Sequence, residues 1–277
     1  MEKRDFRTNV LTGEPNTFQI IRSTLHAFRL AYVLGAVAIT IVFLYPWLEV
    51  SAHLRFRWGQ RVISRAFHKI IATLLRLNIS VKGEPSSSRP LLVIANHVSW
   101  LDIVAISSIL PAIFVTQHGV ASWPVFGRLA KLSPSIFVNR DRKLEVLQTI
   151  DRISDALSVN DVVAIFPEGT STDGMAVLPF RSALLGAVRD TLHKADHLRA
   201  VLVQPVSVRY SGPKRRLAAW AREDDSPFFS HLLQVIRLRR IDVTLRWEAP
   251  IPAGIHSDRK VLTKTLEMTI RHSASQT

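Results

Sequence analysis

Leu91-Leu92-Val93-Ile94-Ala95-Asn96-His97-Val98-Ser99-Trp100-Leu101-Asp102 is the stretch on which the fold reading turns. Five apolar residues in a row read as a strand buried on both faces. They run straight into a polar turn, and a helical pattern then opens at Leu101 and stops at Pro111. A strand that passes through a polar turn into a helix is the repeating unit of open α/β sheets, whose ligands gather at the strands' carboxyl ends.

Working outward, short apolar runs alternate with helical patterns. Strands are expected at 91–95, 113–116, 135–139, 162–166, 201–208 and 241–247, and helices at 101–110, 144–157 and 182–191. This alternation predicts an α/β fold with a mostly parallel central sheet and flanking helices. The turn-forming GEPSSSRP at 83–90 marks the start of the globular part. No internal repeat is visible, and 214–240 shows no pattern that places it.

Ahead of this core, 30–48 is a run of 19 residues without a charge, LAYVLGAVAITIVFLYPWL. As a helix it would span about 28 Å, close to the thickness of bilayer hydrocarbon. Tyr45 and Trp47 suit the membrane–water interface. No small-residue cleavage site follows the run, which fits an anchor better than a signal peptide.

From 55 to 78 apolar residues recur at helical spacing: Trp58, Val62, Ile63, Ala66, Phe67, Ile70, Ile71, Leu74 and Leu75. Arg57, Arg61, Arg65 and Lys69 form a separate stripe, which would suit an anionic lipid surface or, equally, a solvated face. A membrane-associated helical pair is therefore expected over 1–80, either spanning or re-entrant, with the core domain over 81–277 and its motifs within 91–210. Cations flank both ends of the uncharged run, so charge bias does not orient it.

The 277 residues suffice for one large α/β core. With 47% hydrophobic and 21% charged residues the chain is globular, not disordered. A formal charge of +14 calls for an acidic partner, nucleic acid or anionic lipid, and the adjacent apolar run favours lipid. No cysteine is present, which excludes a disulfide framework and thiolate metal sites. No defensible His–carboxylate ligand pair for a metal is visible either.

His97 and Asp102 are five residues apart, about 500° around a regular helix, so they would not share one of its faces. They meet only if His97 lies in the turn and Asp102 in the first helical turn, with Ser99 as N-cap. Neutral imidazole so placed can take a proton from an alcohol attacking a carbonyl, while the carboxylate fixes the tautomer and steadies the imidazolium. Ser99 and Asp102 also read as an ordinary capping box, S-x-x-D.

Two more strand ends carry polar groups. Phe166-Pro167-Glu168-Gly169-Thr170 offers amides and a hydroxyl to an oxyanion or phosphate, and a carboxylate to a polyol. Asn139-Arg140-Asp141-Arg142 offers the planar donor fork of Arg140. Each is weak alone; the three together are specific.

With these segments the sequence resembles the glycerolipid acyltransferases related to 1-acylglycerol-3-phosphate acyltransferase. The likeness covers about 91–210 and rests on NHVSWLD, matching N-H-x-S-x-x-D, and on FPEGT. WPVFG (123–127), the strand ending in Arg140, and VQPVSV (203–208) support it. The resemblance implies a general base at His97 oriented by Asp102. It also implies acceptor binding by Arg140, Glu168, Gly169 and Thr170, an acyl-CoA or acyl-carrier-protein donor, and no cofactor or metal. Many members carry arginine after FPEGT, where this chain has Ser171-Thr172-Asp173-Gly174. That departure, followed by Leu178-Pro179-Phe180-Arg181-Ser182, looks like the bacterial subgroup that includes lyso-ornithine lipid acyltransferases. Arg181 would then supply the missing charge.

Three functions follow as expectations. The first, preferred on family frequency, is acylation of 1-acylglycerol-3-phosphate to phosphatidic acid in phospholipid biosynthesis. The second is O-acylation of lyso-ornithine lipid or another lysolipid. The third, of a different class, is a non-catalytic, basic, membrane-tethered binding protein; an intact His97/Asp102 pair and the lack of any nucleic-acid motif argue against it. The expected partners are membrane lipids, the lysolipid acceptor and the acyl carrier, with no nucleic acid. The expected location is the bacterial inner membrane, with the catalytic domain on its cytoplasmic face.

Overall fold

The computed structural model describes residues 17–54, 56–117, 135–138, 143–221 and 227–276. Two helices lead: α1 (Thr17–His53) and α2 (Arg57–Leu74). Then come β1 (Leu77–Lys82), β2 (Leu91–Ala95), α3 (Leu101–Ile109), β3 (Ile113–Gln117) and β4 (Ser135–Val138). After these lie α4 (Lys143–Ser158), β5 (Val162–Ile165), a short 3-10 turn (Ala183–Gly186) and α5 (Ala187–Lys194). The chain closes with β6 (Val201–Ser211), α6 (Arg215–Ala218), α7 (Phe228–Arg237), β7 (Ile241–Trp247), β8 (Ile251–Ala253) and α8 (Arg259–Ser275).

The strands form one sheet in the order β1-β7-β6-β2-β5-β3-β4, with β8 also on β6. Every pairing is parallel except β6–β7 and β6–β8, as the alternation of strands and helices led one to expect. All five residues of β2 are buried, the mark of a central strand. Leu91, Val93 and Ala95 join the core beneath α1, α2, α3 and α7, while Leu92 and Ile94 join the opposite core with Ile153, Leu266 and Ile270 of α4 and α8. Alternate residues thus hold two helical layers to one strand. Each fully buried aliphatic side chain contributes about 1.5–3 kcal/mol.

α1 has a 28-residue stretch, Thr24–Ser51, long and apolar enough to cross a membrane. Leu30, Val33, Val37, Ile41, Leu44 and Leu48 form the stripe that meets the protein. Phe28, Tyr32, Ile39, Val42, Phe43 and Trp47 point away from it, exposed. Among the described residues nothing covers that surface, and its chemistry suits lipid.

On α2 the cation stripe, left open by the sequence between a lipid surface and a solvated face, makes contacts to the protein. Arg57 and Arg61 both pair with Asp161, at 2.7 and 2.6 Å, and Arg61 also donates to Asn160 O. Arg65 Nε donates to Ser108 O at the end of α3. The three arginines therefore dock the helix on the globular part, while Lys69 of the stripe stays exposed along with Trp58, Val62 and Ile70. Phe67, Ile71, Ala72 and Leu75 are buried in the main core. The expected domain boundary at 80/81 falls inside β1, whose six residues pair with β7 from Leu77↔Ile241 to Lys82↔Arg246.

Helix α7 lies in the region that sequence left unplaced, and β1, β8 and α8 were not anticipated. Gly83 ends β1 at φ +69, where an added Cβ would lie 2.1 Å from Trp247 O. Only glycine lets the two strands close up there.

Candidate active site

β2 and β5 are parallel neighbours in the register Ile94↔Ile165. Three residues beyond each of these lie His97 and Glu168, so the sheet brings together turns 71 positions apart. The His97 N–H donates to Glu168 Oε1 at 2.6 Å, and the Leu178 N–H to Oε2 at 2.7 Å. The Thr172 N–H returns to His97 O at 3.0 Å. The Asn96 side chain extends the β2–β6 ladder past its last backbone pair, accepting from Val208 N at 2.7 Å and donating to Val208 O at 2.9 Å. The histidine turn is thus clamped from both neighbouring strands.

Within the turn, His97 Nδ1 lies 2.8 Å from Asp102 Oδ2. The same oxygen accepts the Val98 and Ser99 N–H groups at 2.7 and 2.9 Å. Oδ1 accepts the Tyr210 hydroxyl at 2.8 Å. A carboxylate offers lone pairs only, so Nδ1 carries the proton and Nε2 the free pair. Only half of the expected capping box forms: the helix is capped at Trp100, not Ser99, and Ser99 Oγ meets only Leu101 N at 3.4 Å, but the back-bond from Ser99 N is what swings the Asp102 carboxylate under the imidazole. The ring also stacks on Phe166, with centroids 4.2 Å apart and planes 15° from parallel. The His97 side chain is 21% exposed and Asp102 not at all. Among the described residues Nε2 has no hydrogen-bond partner and is left for a substrate.

Burial, reinforced by the charge of Asp102, holds the Tyr210 phenol well above its ordinary value, so it stays a donor. Burial also pushes the Glu168 carboxyl up to about 7, against the pull of the Leu178 and His97 N–H groups. A further layer lies behind Val98. Trp100 Nε1 donates to His231 Nδ1 at 3.0 Å, His231 Nε2 lies 2.9 Å from Ala219 O, and the Trp220 ring stacks on His231. These two bonds make Nε2 the protonated nitrogen, and burial lowers this histidine's affinity for a second proton. Trp220 N donates in turn to Val98 O at 2.9 Å.

The expected site residues fare differently. His97 and Asp102 meet. Glu168, assigned to acceptor binding, is buried with both oxygens on backbone N–H groups, which makes it a brace for His97 and for the 171–182 loop. Gly169 turns that loop at φ +81, and it and Thr170 are partly exposed beside the brace. Arg181 has an exposed side chain, while its N–H donates to Pro167 O. Arg140 and the WPVFG segment lie outside the described residues. Tyr210 was missed: it stands 108 residues from Asp102. Its only signal is the Val206-Val208-Tyr210 alternation, which puts a phenol on a core face where its hydroxyl must find a partner. Among the described residues no cluster of His, Asp or Glu is arranged to hold a metal ion.

The Acyltransferase family model matches residues 78–209. Over 251 residues the chain is 33% identical to the lyso-ornithine lipid O-acyltransferase of Brucella abortus, spanning 88% of this chain and 92% of that one. The chain belongs to this acyltransferase family. The acyltransferase is also 32% identical to the enzyme of that name from Rhizobium meliloti, over 89% of this chain and 84% of that one. To the 1-acyl-sn-glycerol-3-phosphate acyltransferase of Neisseria gonorrhoeae it is 28% identical, over 72% and 76%. The solved 1-acyl-sn-glycerophosphate acyltransferase of Thermotoga maritima matches its fold with a TM-score of 0.63, over 91% of this chain and 96% of that one, at 20% identity.

The brace can be tested directly. Glu168→Gln presents one acceptor to two N–H groups, and a buried unsatisfied N–H costs about 1–3 kcal/mol. The folded protein also holds the Glu168 proton more tightly than the unfolded chain does. That contribution is fully present below the ordinary glutamate value and is lost as pH rises through about 7. The variant should therefore melt below wild type, with a gap that narrows between about pH 5 and about pH 8. A gap that widens with pH would show that the fold favours the ionised form.

Proposed function

We propose that this acyltransferase transfers a fatty acyl group from an acyl thioester, acyl-CoA or acyl-carrier protein, to the hydroxyl of a lysolipid, and that the lysolipid is lyso-ornithine lipid. The chemistry rests on one observation: an imidazole whose Nδ1 proton is committed to a buried carboxylate, leaving Nε2 without a hydrogen-bond partner among the described residues. The acceptor hydroxyl gives its proton to Nε2 as its oxygen attacks the thioester carbonyl. Asp102 stabilises the imidazolium across the 2.8 Å contact. When the tetrahedral intermediate collapses, the carbon–sulfur bond breaks and the thiolate takes the proton from Nε2. An ester and a free thiol leave, and the histidine is neutral again.

The choice of acceptor reverses the order expected on family frequency. Two observations support it. The Brucella and Rhizobium enzymes named for lyso-ornithine lipid are 33% and 32% identical over 88% and 89% of this chain, whereas the gonococcal enzyme named for the glycerophosphate is 28% identical over 72%. The loop after Thr170 offers no cation until Arg181, and its polar groups are spent on bonds within the protein. Ser171 Oγ donates to Trp220 O, Thr172 Oγ1 to His97 O, and Asp173 accepts Met175 N. The second reading, 1-acylglycerol-3-phosphate, draws on Arg181, whose exposed guanidinium could meet a phosphomonoester.

Purified protein given one labelled acyl-carrier protein, or acyl-CoA, and a panel of lysolipids separates the two. The expected result is a kcat/KM for lyso-ornithine lipid at least ~10-fold above that for 1-acylglycerol-3-phosphate, the scale of one charged contact. The reverse preference would establish the second reading, and no transfer to any lysolipid would overturn both. The exposed apolar face of α1 supports a membrane location for this chemistry. We propose the cytoplasmic face of the bacterial inner membrane, where acyl thioesters are made.

A further inference from the structure

Arg29 sits on the stripe of α1 that faces the protein, one turn before Val33. Its Nη2 is buried and makes no hydrogen bond. Among the described residues no carboxylate pairs with it. The charge felt by it is that of a second cation, Arg76, at the turn between α2 and β1. A half-buried guanidinium with one nitrogen buried and unbonded, beside a like charge and with no carboxylate paired to it among the described residues, is an arrangement a fold normally avoids.

More positive charge surrounds it. Arg76 O accepts Ile241 N, which brings the end of α7 and the turn carrying Arg237, Arg239 and Arg240 to the same corner. The one carboxylate in this set of segments, Asp242, is taken by Arg240 and Asn78.

Strand directions locate the corner. β7 runs antiparallel to β6 and begins opposite its end, at Ser211↔Asp242. β6 is parallel to β2, and Tyr210 near its end reaches Asp102. The arginine corner is therefore at the catalytic end of the sheet, about three strand spacings (~14 Å) across from β2. It also adjoins the start of the uncharged run of α1, so it stands where a bilayer embedding that run would place its headgroups.

We propose that Arg29 and Arg76 form a binding site for the phosphate of an anionic membrane phospholipid. The bound headgroup neutralises Arg29 and fixes α1 so that the catalytic end of the sheet faces the lipid surface. The site is separate from the acceptor pocket and does not depend on which lysolipid is acylated.

The test uses the full-length protein. Flotation with vesicles of phosphatidylcholine, alone or mixed with phosphatidylglycerol, measures the preference for anionic lipid. Arg29→Gln and Arg76→Gln should each lower that preference about fivefold. Arg152→Gln, the same charge change at an exposed position on α4, should lower it far less. In detergent without lipid, Arg29→Gln should melt no lower than wild type, because it removes an unpaired charge, but it should lose the rise in Tm that phosphatidylglycerol gives wild type. Equal losses from all three substitutions would show diffuse attraction and overturn the site. A lipid-free Tm well below wild type would make Arg29 a packing residue and also overturn it. Protection by inorganic phosphate equal to that by phosphatidylglycerol would assign the corner to a soluble anion and exclude the lipid as occupant.

Discussion

His97→Ala is expected to lower turnover by at least ~10²-fold, the usual scale for a lost general base. Nothing else among the described residues can replace it. Asp102 is fully buried beneath the ring, and both Glu168 oxygens hold backbone N–H groups. Fold loss would not explain the effect, because the turn is held by the Asn96–Val208 bonds, the Glu168 brace and the Asp102 contacts to Val98 and Ser99. None of these uses the imidazole. Steady-state assays with an unchanged melting temperature as control would check this. Near-normal turnover in folded His97→Ala protein would remove histidine from the mechanism.

Asp102→Asn should cost less, and for a reason specific to this site. The amide oxygen can take the place of Oδ2, which receives three donors, and the amide nitrogen can take the place of Oδ1. There it faces the Tyr210 hydroxyl oxygen, which has lone pairs and can accept where it previously donated. The tautomer of His97 is kept and only the charge is lost. Losing one charged hydrogen bond to the developing imidazolium is worth about 1.5–3 kcal/mol, or roughly 10- to 150-fold in kcat, with KM little changed. Asp102→Ala should be worse in a different currency: it strands the Val98 and Ser99 N–H groups in a dry site and should lower stability as well as rate. Turnover of Asp102→Asn equal to wild type would mean that the carboxylate orients the ring without stabilising its charge.

What could be read from sequence was what is local. His97, Ser99 and Asp102 occupy one turn, and its geometry follows from a strand passing into a helix. Glu168 was legible as a site residue but not in its role, which depends on the register of β2 against β5. Tyr210 depends on β6 lying beside β2, which no spacing reveals. The docking of Arg57 and Arg61 could not be read, because their partner, Asp161, lies some hundred positions away and is invisible from the helix alone. The 214–240 segment hides a ten-residue amphipathic helix, with Leu232, Val235 and Ile236 buried, between arginine-rich flanks that mask its period. The C-terminal α8 had a readable signal that went unused: Asp258 at its N-cap, then Leu262, Leu266 and Ile270 at four-residue spacing.

The way α2 and β1 are built into the sheet bears on how a soluble version of this enzyme could be made. Cutting at residue 80 to shed the anchor would divide β1, leave β7 with an unpaired edge, and strip Phe67, Ile71, Ala72 and Leu75 from the core. It would also leave Asp161 without both of its arginines. Such a fragment would be a damaged protein, and any inactivity it showed would say nothing about the need for a bilayer. A shorter cut, between His53 and Arg57, removes the uncharged helix and keeps α2 docked. The faces of α2 and α7 that α1 covers would then need polar replacements before the enzyme could be expected to stay in solution.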